Sequence, residues 1–186
     1  MKILVTPSSF GECGPKPMQL LEESGYEIQM NPNKRRLTSD EVVSLGSDCI
    51  GIIAGLEKLD ADTLSRFSNL RVVSRLGSGV DNVDLEAAEQ YGIHVRSTPY
   101  GPTRAAAELT LAMVMALLRN IPMADRNMRK GVWHKEIGQL LQGRIVGILG
   151  LGRIGREVAQ LMRAMGCILI GHDLLPDVDW SVKHQV

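Results

Sequence analysis

The chain has 186 residues, of which 44% are hydrophobic and 23% charged, a composition typical of a globular protein and not of a disordered or fibrous one. Its 21 basic and 21 acidic residues cancel, so no net field draws it to nucleic acid or to a membrane, and neither is expected as a partner. The 3 isolated cysteines argue against a disulfide framework and a metal site, and with no signal-peptide pattern they predict a cytoplasmic protein.

The first half of the chain alternates short strands with single helices. Strands are predicted at 2–6, 26–30, 49–54, 71–76 and 93–97, and amphipathic helices at 16–24, 40–45, 62–67 and 85–90. One helix between consecutive strands is typical of a parallel sheet, because parallel neighbours need a crossover connection. The sequence therefore predicts an α/β fold with a doubly wound parallel sheet.

Capping residues mark the ends of these helices. Thr38 and Glu41 have the spacing of a capping box. Asp60 and Asp84 are predicted N-caps, since a side-chain oxygen there can accept a free backbone N–H. Three glycines are expected to end helices in the left-handed conformation: Gly25, Gly46 and Gly92.

The segment that begins at Pro99 interrupts this alternation, and we predict a domain boundary there, with domains at 1–98 and 99–186. A long helix at 103–120 and a second helix at 123–130 follow. Apolar residues recur at helical spacing along the long helix, namely Leu109, Ala112, Met113, Ala116 and Leu117.

A glycine-rich motif, Gly150-Leu-Gly152-Arg-Ile-Gly155, directly follows the apolar strand at 144–149. In such a strand-to-helix turn the first glycine permits the tight bend, the second lets a pyrophosphate approach the backbone, and the third lets the helix pack closely on the strand. The N-terminus of the next helix would direct free N–H groups at that pyrophosphate. A glycine-rich turn without a ligand is the alternative interpretation.

Asp173 ends the next apolar strand and completes the pattern of a dinucleotide site. A carboxylate at this position accepts hydrogen bonds from the adenosine ribose. It would also repel a 2′-phosphate, by about 4 kcal/mol at about 4 Å and an effective dielectric of about 20. No arginine follows immediately to offset this repulsion, so the sequence predicts NAD rather than NADP.

A second glycine turn, Gly77-Ser78-Gly79, follows the fourth predicted strand. This is the carboxyl edge of the sheet, where doubly wound folds bind ligands. Free N–H groups and the Ser78 hydroxyl suit an anion such as a carboxylate. A plain turn that leads into the next helix is an equally good interpretation of these residues alone. Asp81 and Asn82 are expected to cap that helix rather than touch a substrate.

The segments 75–84, 97–99, 107–110 and 141–155 together resemble the D-isomer-specific 2-hydroxyacid dehydrogenases, in the right order and over nearly the whole chain. The resemblance is greatest to the phosphoglycerate-specific members of the family. It implies a flavodoxin-like substrate domain followed by the first half of a Rossmann NAD-binding domain. It also implies that the family's active site lies between those two domains.

The resemblance assigns roles to individual residues. It implies that Gly77, Ser78 and Gly79 bind the substrate carboxylate, with Ser78 also near the cofactor. The long helix and the arm that follows it would form a homodimer interface over 103–135, with plain domain core as the alternative for the helix. The cofactor contacts that it implies come from Gly150, Gly152, Arg153, Ile154, Gly155 and Asp173.

The family's catalytic groups are an Arg, a Glu and a His in the latter half of its nucleotide domain, and these positions do not occur in the 186 residues. The family's C-terminal helix, which closes the substrate domain, does not occur either, so exposed apolar surface is expected on both sheets. The histidines present lack the family's pairing with an acid: His94, His134, His172 and His184. We therefore name no catalytic residue and expect this chain to be inactive alone.

One departure from the family bears on the substrate. Phosphoglycerate-specific members carry an arginine after the third strand that helps hold the substrate phosphate, whereas this chain has Ala54 at that position. The next cation, Lys58, lies further along the chain. The predicted activity is hydride transfer between NAD and a small D-2-hydroxy or 2-keto acid. Glyoxylate, hydroxypyruvate and other small 2-keto acids are all candidate substrates. The alternative is a non-enzymatic NAD(H)-sensing, corepressor-like binding protein of the same fold, which the zero net charge disfavours.

Overall fold

The computed structural model describes all 186 residues, Met1–Val186. It divides into two compact units, Met1–Pro99 and Tyr100–Val186, each with its own cluster of buried apolar side chains. Strands pair in parallel in both units and helices connect them, so the predicted α/β fold is confirmed.

The first unit alternates five strands with four helices. The strands are β1 (Lys2–Val5), β2 (Glu27–Met30), β3 (Gly51–Ala54), β4 (Val72–Arg75) and β5 (His94–Ser97). The helices are α1 (Lys16–Glu23), α2 (Ser39–Gly46), α3 (Ala61–Ser65) and α4 (Leu85–Gln90). The sheet order is β2-β1-β3-β4-β5, so the direction of winding reverses between β1 and β3, as a doubly wound sheet requires.

The core of this unit lies on one face of the sheet. Leu4, Ile52 and Val73 project from three strands and are buried with Val42 of α2 and Leu64 of α3. The opposite face is only partly covered: Ile3 and Ile53 are half-buried and Val72 is 40% exposed. An apolar hollow on that face is lined by side chains that include Ile3, Ile53 and Val72.

The predicted caps are present. Thr38 N donates to Glu41 Oε2 at 2.9 Å and Glu41 N donates to Thr38 Oγ1 at 3.3 Å, which completes the capping box of α2. Asp60 and Asp84 accept hydrogen bonds from Thr63 N and Ala87 N at the starts of α3 and α4. These short-range polar contacts fix where the helices begin.

Two of the three glycine predictions are confirmed and one is wrong. Gly25 and Gly92 follow helices with φ of +72° and +68°. Gly46 instead is the last residue of α2 and has no positive φ. A Cβ at Gly46 would lie 2.8 Å from Leu4 Cδ2, so glycine is needed there for close packing of α2 on β1 and not for a left-handed turn.

The second unit contains α5 (Gly101–Leu118), α6 (Ile121–Arg129), β6 (Ile145–Leu149), α7 (Arg153–Ala164), β7 (Ile168–His172) and α8 (Val178–His184). β6 and β7 pair in parallel, with α7 as the crossover. α8 was not predicted from the sequence, although Asp177 at its start accepts a hydrogen bond from Trp180 N at 3.0 Å and is an N-cap signal. No single helix is long and apolar enough to cross a membrane, and α5 with α6 passes such a test only as a pair bent by 64°.

Helices cover only one face of the two-stranded sheet. Val158, Ala159 and Met162 of α7 are buried there together with Ala107 of α5. The strand residues that point the other way are exposed, as expected: Ile145 by 66%, Leu149 by 87%, Ile168 by 58% and Ile170 by 59%.

Candidate functional site

The turn between β6 and α7 has the geometry that a bound dinucleotide requires. Gly150 has a φ of +93°, which side-chain-bearing residues rarely adopt. A Cβ at Gly155 would lie 1.9 Å from the Gly150 oxygen, so only glycine lets α7 begin this close to the turn. A Cβ at Gly152 would meet no atom within 4 Å, so the space above the turn is open.

The N-terminus of α7 offers unsatisfied hydrogen-bond donors to that open space. Gly152 is the N-cap and has no side chain that could satisfy the first N–H groups of the helix. Arg153 and Ile154 form the first turn and are exposed. The Arg153 guanidinium also lies over the Tyr100 ring, 5.6 Å from its centroid. Free donors at the positive end of a helix fit a pyrophosphate.

Asp173 follows β7 and reaches back to the glycine turn. Its Oδ1 accepts a hydrogen bond from Leu175 N at 3.0 Å and its Oδ2 accepts one from Leu151 N at 2.6 Å. These two hydrogen bonds, with smaller contributions from nearby positive charge, hold the pKa of the Asp173 carboxyl below its ordinary value. The ionised carboxylate retains lone pairs that can accept ribose hydroxyls.

Arg156, which was not predicted as a site residue, holds the same turn in place. Its Nε donates to Leu151 O at 2.8 Å, and its Nη2 lies 3.0 Å from Asp177 Oδ2. The guanidinium also stacks over the Trp180 ring, 4.9 Å from the centroid. Arg156 thus ties the glycine turn to α8, and since α8 itself was missed, no sequence pattern pointed to this contact.

The second glycine turn follows β4 at the carboxyl edge of the first sheet. Gly77 has a φ of +143°, and its N–H donates to Thr98 Oγ1 at 2.8 Å while its carbonyl accepts from Thr98 N at 2.9 Å. Ser78 is half-buried and Gly79 is exposed. The turn is therefore pinned to the residue after β5, with its outer part accessible to a ligand.

Asn82 does not cap α4, so that prediction is wrong. Its Nδ2 donates to Glu57 O at 2.6 Å, and its Oδ1 accepts from Arg75 Nε at 3.3 Å. Asp81 is exposed and does not cap the helix either. The helix begins at Leu85, so only Asp84 lies close enough to its first free N–H groups to cap them.

A buried carboxylate that the sequence analysis did not identify lies at the same edge of the sheet. Glu57 is 1% exposed, and its Oε1 accepts hydrogen bonds from Thr6 Oγ1 and from Gly55 N, the latter at 2.8 Å. Through Asn82, this residue joins the segments that follow β1, β3 and β4. Lys58 forms an ion pair with Asp60 at 2.6 Å, so it does not supply a free cation beside the buried Ala54.

The four histidines show no pairing with an acid. None of them forms a hydrogen bond or ion pair with a carboxylate. His184 instead pairs its Nδ1 with Trp180 O at 2.8 Å and stacks on that indole with 4.3 Å between ring centroids. No group of three or more His, Cys, Asp or Glu side chains could hold a metal ion.

The long helix α5 has two apolar faces. Leu111, Val114 and Leu118 pack against the buried core of the second unit. The side chains that the sequence pattern singled out point the other way: Leu109 is 60% exposed, Met113 51% and Leu117 73%. We call these three residues the α5 stripe.

A profile of the D-isomer specific 2-hydroxyacid dehydrogenase catalytic domain matches residues 4–175. The chain is 41% identical to D-3-phosphoglycerate dehydrogenase of Homo sapiens over 189 residues, which cover 99% of the chain and 34% of that relative. It therefore spans about a third of the length of the curated relatives it matches.

Two solved structures have the same arrangement of elements. A Thermus thermophilus protein superposes with a TM-score of 0.85 and 34% identity, over 95% of this chain and 57% of that one. The NAD-dependent formate dehydrogenase of Staphylococcus aureus, in complex with NAD, superposes with a TM-score of 0.75 and 25% identity, over 94% of this chain and 57% of that one.

Proposed function

The chain belongs to the D-isomer specific 2-hydroxyacid dehydrogenases, and from this premise we propose that it is the N-terminal portion of an NAD-dependent oxidoreductase that acts on the CH–OH group of a small D-2-hydroxy acid. The observation that carries this proposal is the glycine turn at Gly150 together with Asp173, which accepts a hydrogen bond of 2.6 Å from Leu151 N in that turn. In this proposal residues 1–98 form the substrate domain and 99–186 part of the NAD-binding domain.

The cofactor would be held by backbone and carboxylate groups of the second unit. The open space at Gly152 and the free donors of Arg153 and Ile154 fit the pyrophosphate of NAD, and Asp173 fits the ribose. NAD, when bound, accepts the hydride of the alcohol carbon. The unpaired charge of Asp173 supports NAD over NADP, since a 2′-phosphate would be repelled. A relative of known structure binds NAD.

The substrate would be held by the first unit through its glycine turn. The exposed outer part of Gly77, Ser78 and Gly79 suits the carboxylate that all 2-hydroxy and 2-keto acids share. Ala54, the last residue of β3, is buried, and the lysine that follows the strand is already paired with Asp60. We therefore propose a small 2-hydroxy or 2-keto acid as substrate, without requiring a phosphate group on it.

These 186 residues alone are expected not to turn over substrate. Oxidation of an alcohol needs a base within hydrogen-bond reach of the hydroxyl proton. No histidine is paired with a carboxylate, and no other residue is proposed as that base. Reduction of NAD by the purified chain with any D-2-hydroxy acid would contradict this expectation. The corepressor alternative has no support among the relatives named above, and we do not propose it.

Calorimetric titration with NADH tests the cofactor site. We expect weak binding through the adenosine half, weaker binding of NADPH, and a loss of affinity in Asp173→Asn. Asp179→Asn is the matched control, because Asp179 is an exposed acid in the first turn of α8. Equal affinities of the wild-type chain and Asp173→Asn for NADH would contradict the proposed role of the carboxylate.

A further inference from the structure

Asp173 has a cation near it that the order of residues along the chain does not reveal. No arginine directly follows Asp173, but the fold brings Arg156 of α7 to the same residue of the glycine turn. Leu151 N donates to Asp173 Oδ2 at 2.6 Å, and Leu151 O accepts from Arg156 Nε at 2.8 Å. After the hydrogen bonds from Leu175 N and Leu151 N, the charge of Arg156 further lowers the pKa of the Asp173 carboxyl.

This cation bears on the choice between the two nicotinamide cofactors. In dinucleotide sites that take NADP, an arginine near the ribose accommodates the 2′-phosphate. A free Arg156 would therefore offset the repulsion between Asp173 and a 2′-phosphate, on which the preference for NAD depends. The preference requires that something keeps Arg156 from the phosphate.

Arg156 is not free, because three groups hold its guanidinium. Its Nη2 lies 3.0 Å from Asp177 Oδ2, its Nε donates to Leu151 O, and its Cζ lies over the Trp180 ring, 4.9 Å from the centroid. Asp177 is the one acid with which it forms an ion pair. The side chains are 33% and 44% exposed, so the arginine lies where a bound phosphate has access to it once the pair is broken.

The two oxygens of Asp177 have different partners, which fixes the carboxylate in one orientation. Oδ1 accepts from Trp180 N at 3.0 Å and caps α8, whereas Oδ2 faces Arg156. The hydrogen bond from Trp180 N, and then the one from Arg156, lower the pKa of the Asp177 carboxyl, so it is ionised at neutral pH. Two carboxylates, Asp173 and Asp177, and one guanidinium leave a net negative charge at this end of the site. Without Asp177 the two remaining charges would cancel.

We propose that Asp177 is a second determinant of the preference for NAD over NADP, because it holds Arg156 away from the 2′-position of the ribose. The inference rests on the proposed function and deepens it, since it concerns the cofactor that the same site accepts. Asp177 acts through Arg156 and does not itself touch the cofactor. Asp173 repels the 2′-phosphate, and Asp177 withholds the cation that would otherwise attract it.

Neutral variants that keep the cap of α8 test this role. NADH and NADPH are titrated into the 186-residue chain and into Asp177→Asn and Asp177→Ser, and NMR shifts of the backbone amides give the dissociation constants. Asn and Ser both cap helices well, so α8 should still form. We expect the ratio of the NADPH to the NADH dissociation constant to fall about fivefold or more in both variants, because the released Arg156 can pair with the 2′-phosphate. An unchanged ratio in the folded variants would overturn the inference.

Two further variants separate the ion pair from charge in general. Asp177→Glu keeps the negative charge and should keep most of the preference for NADH. Asp179→Asn is the matched control, because Asp179 is an exposed acid in the first turn of the same helix and forms no ion pair. It should change the ratio by less than about twofold, since exposed charges are screened by salt. An effect of Asp179→Asn as large as that of Asp177→Asn would refute a specific role for Asp177.

A double-mutant cycle tests whether Asp177 acts through Arg156. In the Arg156→Gln background the cation is absent, so adding Asp177→Asn should change the ratio by about twofold or less. An effect as large as in the wild-type background would mean that the Asp177 carboxylate repels the phosphate directly, which contradicts the role given to Arg156.

The shifts caused by NADH itself distinguish this inference from the proposed function. NADH should shift the amides at Gly150–Gly155, which belong to the second unit. If these shifts are present in every variant and the ratio never changes, the role of Asp177 alone is refuted. If NADH shifts none of these amides in the wild-type chain, the proposed cofactor site is contradicted, and the inference falls with it.

Discussion

Because Gly155 has no side chain, α7 can begin in close contact with the turn that follows β6. The Cβ of any other residue would lie 1.9 Å from the Gly150 oxygen, far inside van der Waals contact with backbone. Backbone cannot rotate away as a flexible side chain can, so the turn or the helix would have to move. The open geometry above Gly152 depends on both staying in place.

Gly155→Ala is therefore expected to lower the free energy of unfolding of the second unit by about 1–3 kcal/mol and to weaken NADH binding. Chemical denaturation and calorimetry measure the two effects. Gly147→Ala, in β6, is the matched control, because a Cβ there meets no atom within 4 Å. A Gly155→Ala chain as stable as the Gly147→Ala control would show that the turn adapts easily.

The sequence alone predicted the site glycines and Asp173. It did not predict the side chains that hold the two glycine turns in place. Gly150, Gly152 and Asp173 are recognisable because their roles depend on local spacing along one strand–helix–strand unit. Glu57 and Arg156 are held by partners that the sequence does not mark. Glu57 meets Thr6, 51 positions away, and Asn82, 25 positions away, and only the strand order brings them together.

At the level of elements, α2 shows how a helix start depends on ionisation. Glu41 accepts from Thr38 N and forms an ion pair with Arg35 at 2.6 Å. The hydrogen bond from Arg35, followed by the one from the Thr38 backbone, lowers the pKa of the Glu41 carboxyl from 4.5 to about 2. Because the folded pKa lies below the unfolded one, Glu41 stabilises the fold above about pH 4.5, and this contribution is lost as the pH falls toward about 2.

Glu41→Gln removes that titration. We expect the difference in free energy of unfolding between wild type and variant to shrink steadily from about pH 5 to about pH 2. Urea denaturation at a series of pH values measures it. Glu86→Gln provides the control, since Glu86 lies exposed in the first turn of α4 and its side chain makes no hydrogen bond. A difference that does not vary with pH would mean that the capping box does not act through the charge.

Elements with strong local signals were predicted to within a few residues, and those shaped by packing were not. The capping box and the acidic N-caps fixed α2, α3 and α4 correctly. Gly46 was assigned to a turn because glycine commonly ends helices, whereas its actual role is contact with Leu4, which is visible only once α2 lies on β1. α8 has a local signal in its N-cap Asp177, but it was missed; its contacts include Arg156 and Arg163 of α7 and the core against which Trp180 packs.

At the scale of the whole molecule, the α5 stripe leaves three large apolar side chains exposed on one helix face. A row of exposed apolar side chains of this kind is characteristic of an interface between protein chains. We propose, as the family resemblance implies, that 103–135 forms a homodimer contact. One face of α5 packs in the core and another face carries the α5 stripe. The two faces together explain why the helix is apolar nearly all round.

Leu109→Lys combined with Leu117→Lys should raise the dimer dissociation constant about 100-fold or more, because each substitution would bury an unpaired charge. Sedimentation equilibrium over a range of concentrations measures it. Leu85→Lys, which alters an exposed leucine of α4 in the first unit, should have no effect. A wild-type chain that stays monomeric, or a doubly substituted chain that still dimerises, would contradict the proposed interface.

The hydrogen bonds that hold the first glycine turn have a consequence for the speed of cofactor capture. Gly150 N donates to His172 O at 2.7 Å and Leu151 N donates to Asp173, so the turn is ordered before any dinucleotide arrives. Little chain entropy remains to be lost on binding, and no rearrangement has to precede it. Association should then be a single step whose rate is linear in NADH concentration, and differences in affinity should lie in how fast the cofactor leaves.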